Sequence, residues 1–133
     1  MPISWTQDLS VNIVRIDTEH KQLVAMLGEL EEAIGLGKGE EQLQEIVSKM
    51  SDYAKVHFQT EEKLMAKHSF PGLDDHVSEH EDFAVKVMDL VFEPDSEHSS
   101  PESVLAFLKD WLVNHISGTD KLYGPFLNER GVF

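Results

Sequence analysis

Seven potential metal ligands are spread over four stretches of helical pattern: His20, then His57 and Glu61, then His76 and His80, then His115 and Asp120. Six of the seven extend the apolar stripes of their segments, which turns them toward the core. Burying so many ionisable groups without partners is costly, so a fold that buries them has to bring them together. A metal ion relieves the cost by binding neutral imidazole and ionised carboxylate directly. The set exceeds what one ion needs, and the expectation is a two-metal centre inside a helix bundle.

The segments are legible from apolar spacing and breakers. The first runs from about Thr18 to Ile34, with Asp17 as a plausible N-cap, Leu23, Val24, Leu27, Leu30 and Ile34 as its stripe, and Gly35, Gly37 and Gly39 closing it. The second runs from about Glu40 to Lys67, with Leu43, Ile46, Val47, Met50, Ala54 and Leu64 sharing a face with His57 and Glu61; Ser69-Phe70-Pro71-Gly72 ends it. The third spans about Leu73 to Phe92, and its inward set is His76, His80, Phe83, Ala84 and Val87. A polar loop from Glu93 to Ser99 follows. The fourth starts near Pro101 after Ser100 as N-cap and bears Val104, Leu108, Trp111, Leu112 and His115. No stretch reads as a clear strand. Four helices with short connections predict an all-α, antiparallel up-down-up-down four-helix bundle. Residues 1–16 read as an N-terminal arm held by Trp5, Ile13 and Ile16, and residues 1–133 as one domain.

Composition narrows the function. A net charge of −14, from 25 acidic against 11 basic residues, disfavours nucleic acid and anionic membrane surfaces as partners. No apolar run approaches the length of a membrane span, and Met1-Pro2-Ile3-Ser4-Trp5 does not resemble a signal peptide. Cytoplasmic location is the expectation. The chain has no cysteine, which excludes disulfides and thiolate metal sites.

His57 with Glu61, and His76 with His80, are four apart, so each pair shares a helix face and can chelate one ion. His115 and Asp120 break this rule. Five residues advance an ideal helix by about 500°, leaving the side chains roughly 140° apart. Gly118 weakens the helix between them, and a wide turn or π-bulge there would bring Asp120 round to His115. His68, beside a Pro-Gly turn, and His98, in the serine-rich loop, read as surface residues.

Imidazole and carboxylate without thiolate suit iron, zinc, copper or manganese. If Glu61 and Asp120 both bridge a pair of octahedral ions that also share one oxygen, five histidines leave a single position open, which suits one small diatomic ligand.

The pattern H, HxxxE, HxxxH, HxxxxD, with Trp5, Trp111-Leu112-Val113-Asn114-His115 and Tyr123-Gly124-Pro125 around it, resembles the haemerythrins, most of all the bacterial single-domain members. All seven ligand positions are present without substitution, and the resemblance covers nearly the whole chain. It implies two non-haem iron ions bridged by an oxo or hydroxo group, with O2 as the reversibly bound partner. His76, His80 and His115 would bind one iron and His20 and His57 the other, which keeps the open position, while Glu61 and Asp120 bridge. It also implies an apolar O2 pocket of Leu23, Phe58, Trp111 and Ile116. No acid or base is evident among these neighbours, which favours holding O2 over transforming it. The chain is therefore expected to be a binding module for storage, delivery or sensing, and not an enzyme. Two alternatives stand beside this: a sensory domain cut from a longer signalling chain, and a di-iron oxidase or peroxidase. Carboxylate-rich oxidases use two Glu-x-x-His motifs, and this sequence has none.

Overall fold

The apolar stripes become the inner faces of four helices: α1 (Val14–Gly35), α2 (Gly39–Lys67), α3 (Leu73–Phe92) and α4 (Pro101–Asn114). The computed structural model describes residues 4–92 and 100–133. The expected loop from Glu93 to Ser99, with His98, lies outside the described residues. A π-helical segment, His115–Asp120, continues α4 into a short α5, Lys121–Asn128. α1 packs on α2 and α4, and α2 packs on α3, which gives the four-helix bundle its neighbours. No strand occurs among the described residues.

Two apolar layers sandwich a polar one. The larger joins Leu23, Leu27 and Leu30 of α1 to Met50, Ala54 and Phe58 of α2, Phe83 and Val87 of α3, and Leu108 and Leu112 of α4. The smaller joins Val11, Ile13, Ile16, Met65, Tyr123 and Leu127. The candidate ligands lie where the clusters meet: His20 falls between Ile16 and Leu23, Glu61 between Phe58 and Met65, and Asp120 between Ile116 and Tyr123. α4 starts where its cap requires: Ser100 Oγ accepts the Ser103 N–H at 3.2 Å and Pro101 takes the first turn.

Four expectations need correction. The first helix begins four residues before Thr18, at Val14, so Ile16 belongs to it and the arm ends at Ile13. Asp17 is not the N-cap. Its carboxylate instead accepts the Ser10 hydroxyl and, at 2.9 Å, the Val11 N–H, fastening the arm to the first turn. A negative charge there is also favoured by the helix dipole. In α2, Leu64 sits at the margin while Met65, fully buried, fills the interior. In α3, Ala84 is exposed, because the buried stripe His76, His80, Phe83, Val87 is only one residue wide.

The arm itself is ordered by burial and hydrogen bonds. Leu9, Val11 and Ile13 are buried, and Trp5 packs against the larger cluster. Asn128 Nδ2 donates to Asn12 O at 3.1 Å. The arm crosses α5 so closely that a Cβ on Gly124 would stand 3.0 Å from Val11 O. Gly28, within α1, has open space where its Cβ would be. Gly28→Ala should therefore raise stability by about 0.5–1 kcal/mol through helix propensity, whereas Gly124→Ala should lower it despite the same propensity gain. Urea unfolding of both variants checks the opposite signs, and equal stabilisation by both would refute the close crossing.

Candidate metal centre

All seven expected ligands meet in the polar layer, each no more than 3% exposed. Their donor atoms form two groups: Glu61, His76, His80, His115 and Asp120 in one, and His20, His57, Glu61 and Asp120 in the other. Within each group the atoms lie within 4.8 Å of one another, close enough to hold a metal ion. Glu61 and Asp120 belong to both.

The shared carboxylates divide their oxygens between the groups. Glu61 Oε1 contacts His57 Nε2 and lies 3.5 Å from His20 Nε2, while its Oε2 lies 3.1 Å from His76 Nε2 and 3.9 Å from His80 Nε2. Asp120 Oδ2 is 3.0 Å from His20 Nε2, and its Oδ1 is 2.8 Å from His76 Nε2 and 3.0 Å from His115 Nε2. His80 Nε2 and His115 Nε2 face each other at 3.2 Å.

The π segment is what makes Asp120 a member. Its hydrogen bonds run from residue i to i+5, so residues five apart come onto one side of the helix. His115 and Asp120 open and close this segment. The rule broken in the sequence is broken in the backbone, at the place where the spacing required it.

These atoms fit a cation better than they fit one another. Despite the short separations, His20 Nε2, Glu61 Oε1 and both Asp120 oxygens make no hydrogen bond. Buried polar atoms left unpaired cost on the order of 1–3 kcal/mol each. Lone pairs at such distances without hydrogen-bond geometry point at common centres, and nitrogen and oxygen donors without thiolate suit a first-row transition metal.

A family model described as the hemerythrin HHE cation binding domain matches residues 11–127. The chain belongs to the hemerythrin family. It is 30% identical to the bacteriohemerythrin of Methylococcus capsulatus over 95% of this chain and 97% of that protein. It is 34% identical to the myohemerythrin of Theromyzon tessulatum, covering 92% of this chain and 91% of that one. A crystal structure of wild-type hemerythrin superposes with a TM-score of 0.82 at 29% identity, over 94% of this chain and 97% of that chain.

Aromatic rings pack against the donors. The Phe58 ring stacks on His80 with centroids 3.8 Å apart, and Trp111 stacks on His115 at 4.3 Å. Leu23 and Ile116 are buried in the same apolar cluster, one turn from His20 and next to His115. His68 is half-buried at the C-cap of α2 and takes no part in either group.

Four residues at the centre escaped sequence reasoning. Glu19 Oε1 is 2.7 Å from His57 Nδ1, Glu62 Oε1 is 3.5 Å from His80 Nδ1, and Glu79 Oε2 is 3.8 Å from His115 Nδ1. Each glutamate is adjacent in sequence to a candidate ligand, a signal easily lost among 25 acidic residues. Tyr123, fully exposed to neither solvent nor a hydrogen-bond partner, packs its ring 5.4 Å from that of His76. Burial, with the Asp120 and Glu61 charges behind it, pushes its phenol well above the usual range.

Without a metal, protons must balance the two carboxylates. Burial pulls the His57 imidazole down, but the Glu61 charge and the Glu19 hydrogen bond outweigh it and lift it to about 10. His76, also opposed by burial, is lifted to about 9 by Asp120 and Glu61. His80 goes the other way: burial, with His115 and His76 adding to it, holds it at about 3. A histidine raised on folding stabilises fully below its unfolded value and loses that contribution as pH climbs to the folded one, while a lowered histidine loses its contribution as pH falls below the unfolded value. The metal-free protein should therefore melt highest near pH 6.5, decline toward about pH 9–10 as His57 and His76 lose their protons, and decline on the acid side as His80 is forced to charge. Calorimetry across this range in chelator checks it; stability still rising between about pH 7 and 9 would contradict the assignment.

Proposed function

We propose that the chain binds O2 reversibly at a non-haem di-iron centre, for storage, delivery or sensing of oxygen. Members of the family bind O2 at such a centre. The reading is supported by one observation: each carboxylate divides its oxygens between the two groups, Glu61 turning Oε1 to His20 and His57 and Oε2 to His76 and His80, and Asp120 turning Oδ2 to His20 and Oδ1 to His76 and His115. His76, His80 and His115 would hold one iron and His20 and His57 the other, with the Glu61 and Asp120 carboxylates serving both. The group containing His20 and His57 has the smaller protein donor set, and a metal held there would have room for a diatomic ligand.

Bound iron supplies the reversible redox chemistry on which O2 binding draws. The chain's own residues hold the metals and keep the site dry. Leu23, Phe58, Trp111 and Ile116 form the apolar wall of the O2 pocket, with Ile116 fully buried beside His115. Water and charged species enter such a wall at high cost, which slows oxidative loss of the reduced state. Reversible binding, not turnover, is what this lining favours. No helix among the described residues is long and apolar enough to cross a membrane.

The test is metal analysis with an optical spectrum of the reduced protein before and after air. About two irons per chain and a reversible charge-transfer band are expected; one metal per chain, or mostly zinc after growth in ample iron, would overturn the proposal. Removing the iron should also lower the melting temperature by roughly 10 °C or more, because metal-binding free energy is folding free energy and about 3 kcal/mol shifts a domain of this size that far. Equal melting of both forms would argue against a centre that ties the helices together.

The pocket has its own test. Ile116→Glu puts a carboxylate into the apolar wall, where it draws in water or competes for the open position. The variant should keep its fold and iron but lose the O2-dependent band at least about tenfold faster. Ile116→Val removes one methylene, costs about 1 kcal/mol of packing, and should behave nearly as the parent. A glutamate variant that holds O2 as long as the parent with unchanged iron would remove Ile116 from the pocket.

A further inference from the structure

We infer that Glu19, Glu62 and Glu79 form an outer arc of positioning residues, in which α1, α2 and α3 each send the glutamate next to their own ligand to hold the Nδ1–H of a histidine on the helix that follows in the chain. The inference deepens the di-iron reading and rests on it. The arc runs one way. Glu19 precedes His20 on α1 and reaches His57 on α2 at 2.7 Å. Glu62 follows Glu61 on α2 and reaches toward His80 on α3 at 3.5 Å. Glu79 precedes His80 on α3 and reaches toward His115, at the end of α4, at 3.8 Å.

The chemistry calls for such partners. An imidazole presents a lone pair inward through Nε2 only when the proton sits on Nδ1, and the acceptor of that proton fixes both tautomer and ring orientation. The Nδ1 atoms of His80 and His115 are buried and make no hydrogen bond with any side chain. The carboxylates facing them stand 3.5 and 3.8 Å away, just beyond direct hydrogen-bond distance. Two of the three glutamates are themselves braced. Glu19 accepts the Thr60 hydroxyl at 3.4 Å and pairs with Arg15 at 3.5 Å, and Glu79 accepts the Thr119 hydroxyl at 3.1 Å from within the π segment.

The grip is graded. Side-chain exposure rises from 15% for Glu19 to 29% for Glu62 and 44% for Glu79, in step with the distances. His57 is therefore held hardest, and it belongs to the group with fewer donors, where the loss of one oriented imidazole matters most.

The experiment uses the full chain with Glu19→Ala, Glu62→Ala and Glu79→Ala, and the corresponding glutamine variants. Fe(II) affinity is measured anaerobically against a chromophoric chelator, and imidazole Nδ1–H resonances are recorded by NMR on the Zn(II)-loaded protein. Glu19→Ala should weaken Fe(II) binding by about 10–100-fold and expose the His57 Nδ1–H to rapid solvent exchange, with smaller effects at Glu62 and smaller still at Glu79. Glutamine keeps a carbonyl acceptor, so Glu19→Gln should recover much of the affinity and the protected resonance. Should the alanine variants melt lower yet bind Fe(II) as the parent does, with unchanged Nδ1–H resonances, the glutamates are structural and the inference fails by itself. A parent that cannot bind two metal ions would instead overturn the di-iron reading and this arc with it.

Discussion

Two carboxylates with no exposed surface to speak of, surrounded by five imidazoles, set the terms for the rest of this molecule. Taking Glu61 and Asp120 out of water costs several kcal/mol apiece unless opposite charge and directed donors replace the lost hydration. The five histidines satisfy them only in part: His76 pairs with Glu61 Oε2, while several of the closest nitrogen and oxygen atoms face one another without hydrogen bonds. A fold in this state is tuned for a guest that can take lone pairs from every side at once. The apolar layers above and below close the site off from water, so the polar layer cannot relax by solvation. It must either share protons among its members or accept cations.

That constraint explains features that would otherwise look like irregularities. A regular α-helix would turn Asp120 away from the layer, so α4 gives up its register for six residues and resumes it at Lys121. The N-terminal arm covers the end of the smaller apolar cluster, where Tyr123 and Met65 would otherwise border solvent directly beneath the carboxylates. Gly124 lets the arm approach, and Asp17 ties the arm to the helix that bears His20.

What could be read from the sequence was what repeats with a helical period. His57 with Glu61 and His76 with His80 announce a common face, and their convergence follows from burying four such faces together. Even the π segment was legible, because His115 and Asp120 cannot meet on a regular helix. Boundaries were less so. Asp17 has the composition of a cap, and only the path of the arm reveals that its oxygens are spent on Ser10 and Val11. Ala84 fits the apolar pattern of α3, yet small apolar residues cost little at a surface, and pattern alone cannot exclude one there. The outer glutamates were hidden for a different reason. Their partners lie 38, 18 and 36 residues away, as the numbers of Glu19 and His57, Glu62 and His80, and Glu79 and His115 show. A carboxylate's role there depends on which helices become neighbours, and that is tertiary information.

The difference between the two donor groups is the step from structure to function. Five residues serve one group and four the other, and the two carboxylates are common to both. Had the larger set been repeated, both metals would be saturated by protein and the centre would be a structural clamp. Had histidines been replaced by further carboxylates, the site would gain the charge and proton acceptors that suit oxidases. Neutral imidazoles instead leave the charge on Glu61 and Asp120, at the shared middle, where it would stabilise a pair of cations. On the proposed reading, the same economy of charge that makes the metal-free bundle dependent on pH makes the iron-loaded one a place where a neutral diatomic molecule can enter and leave while ions stay out.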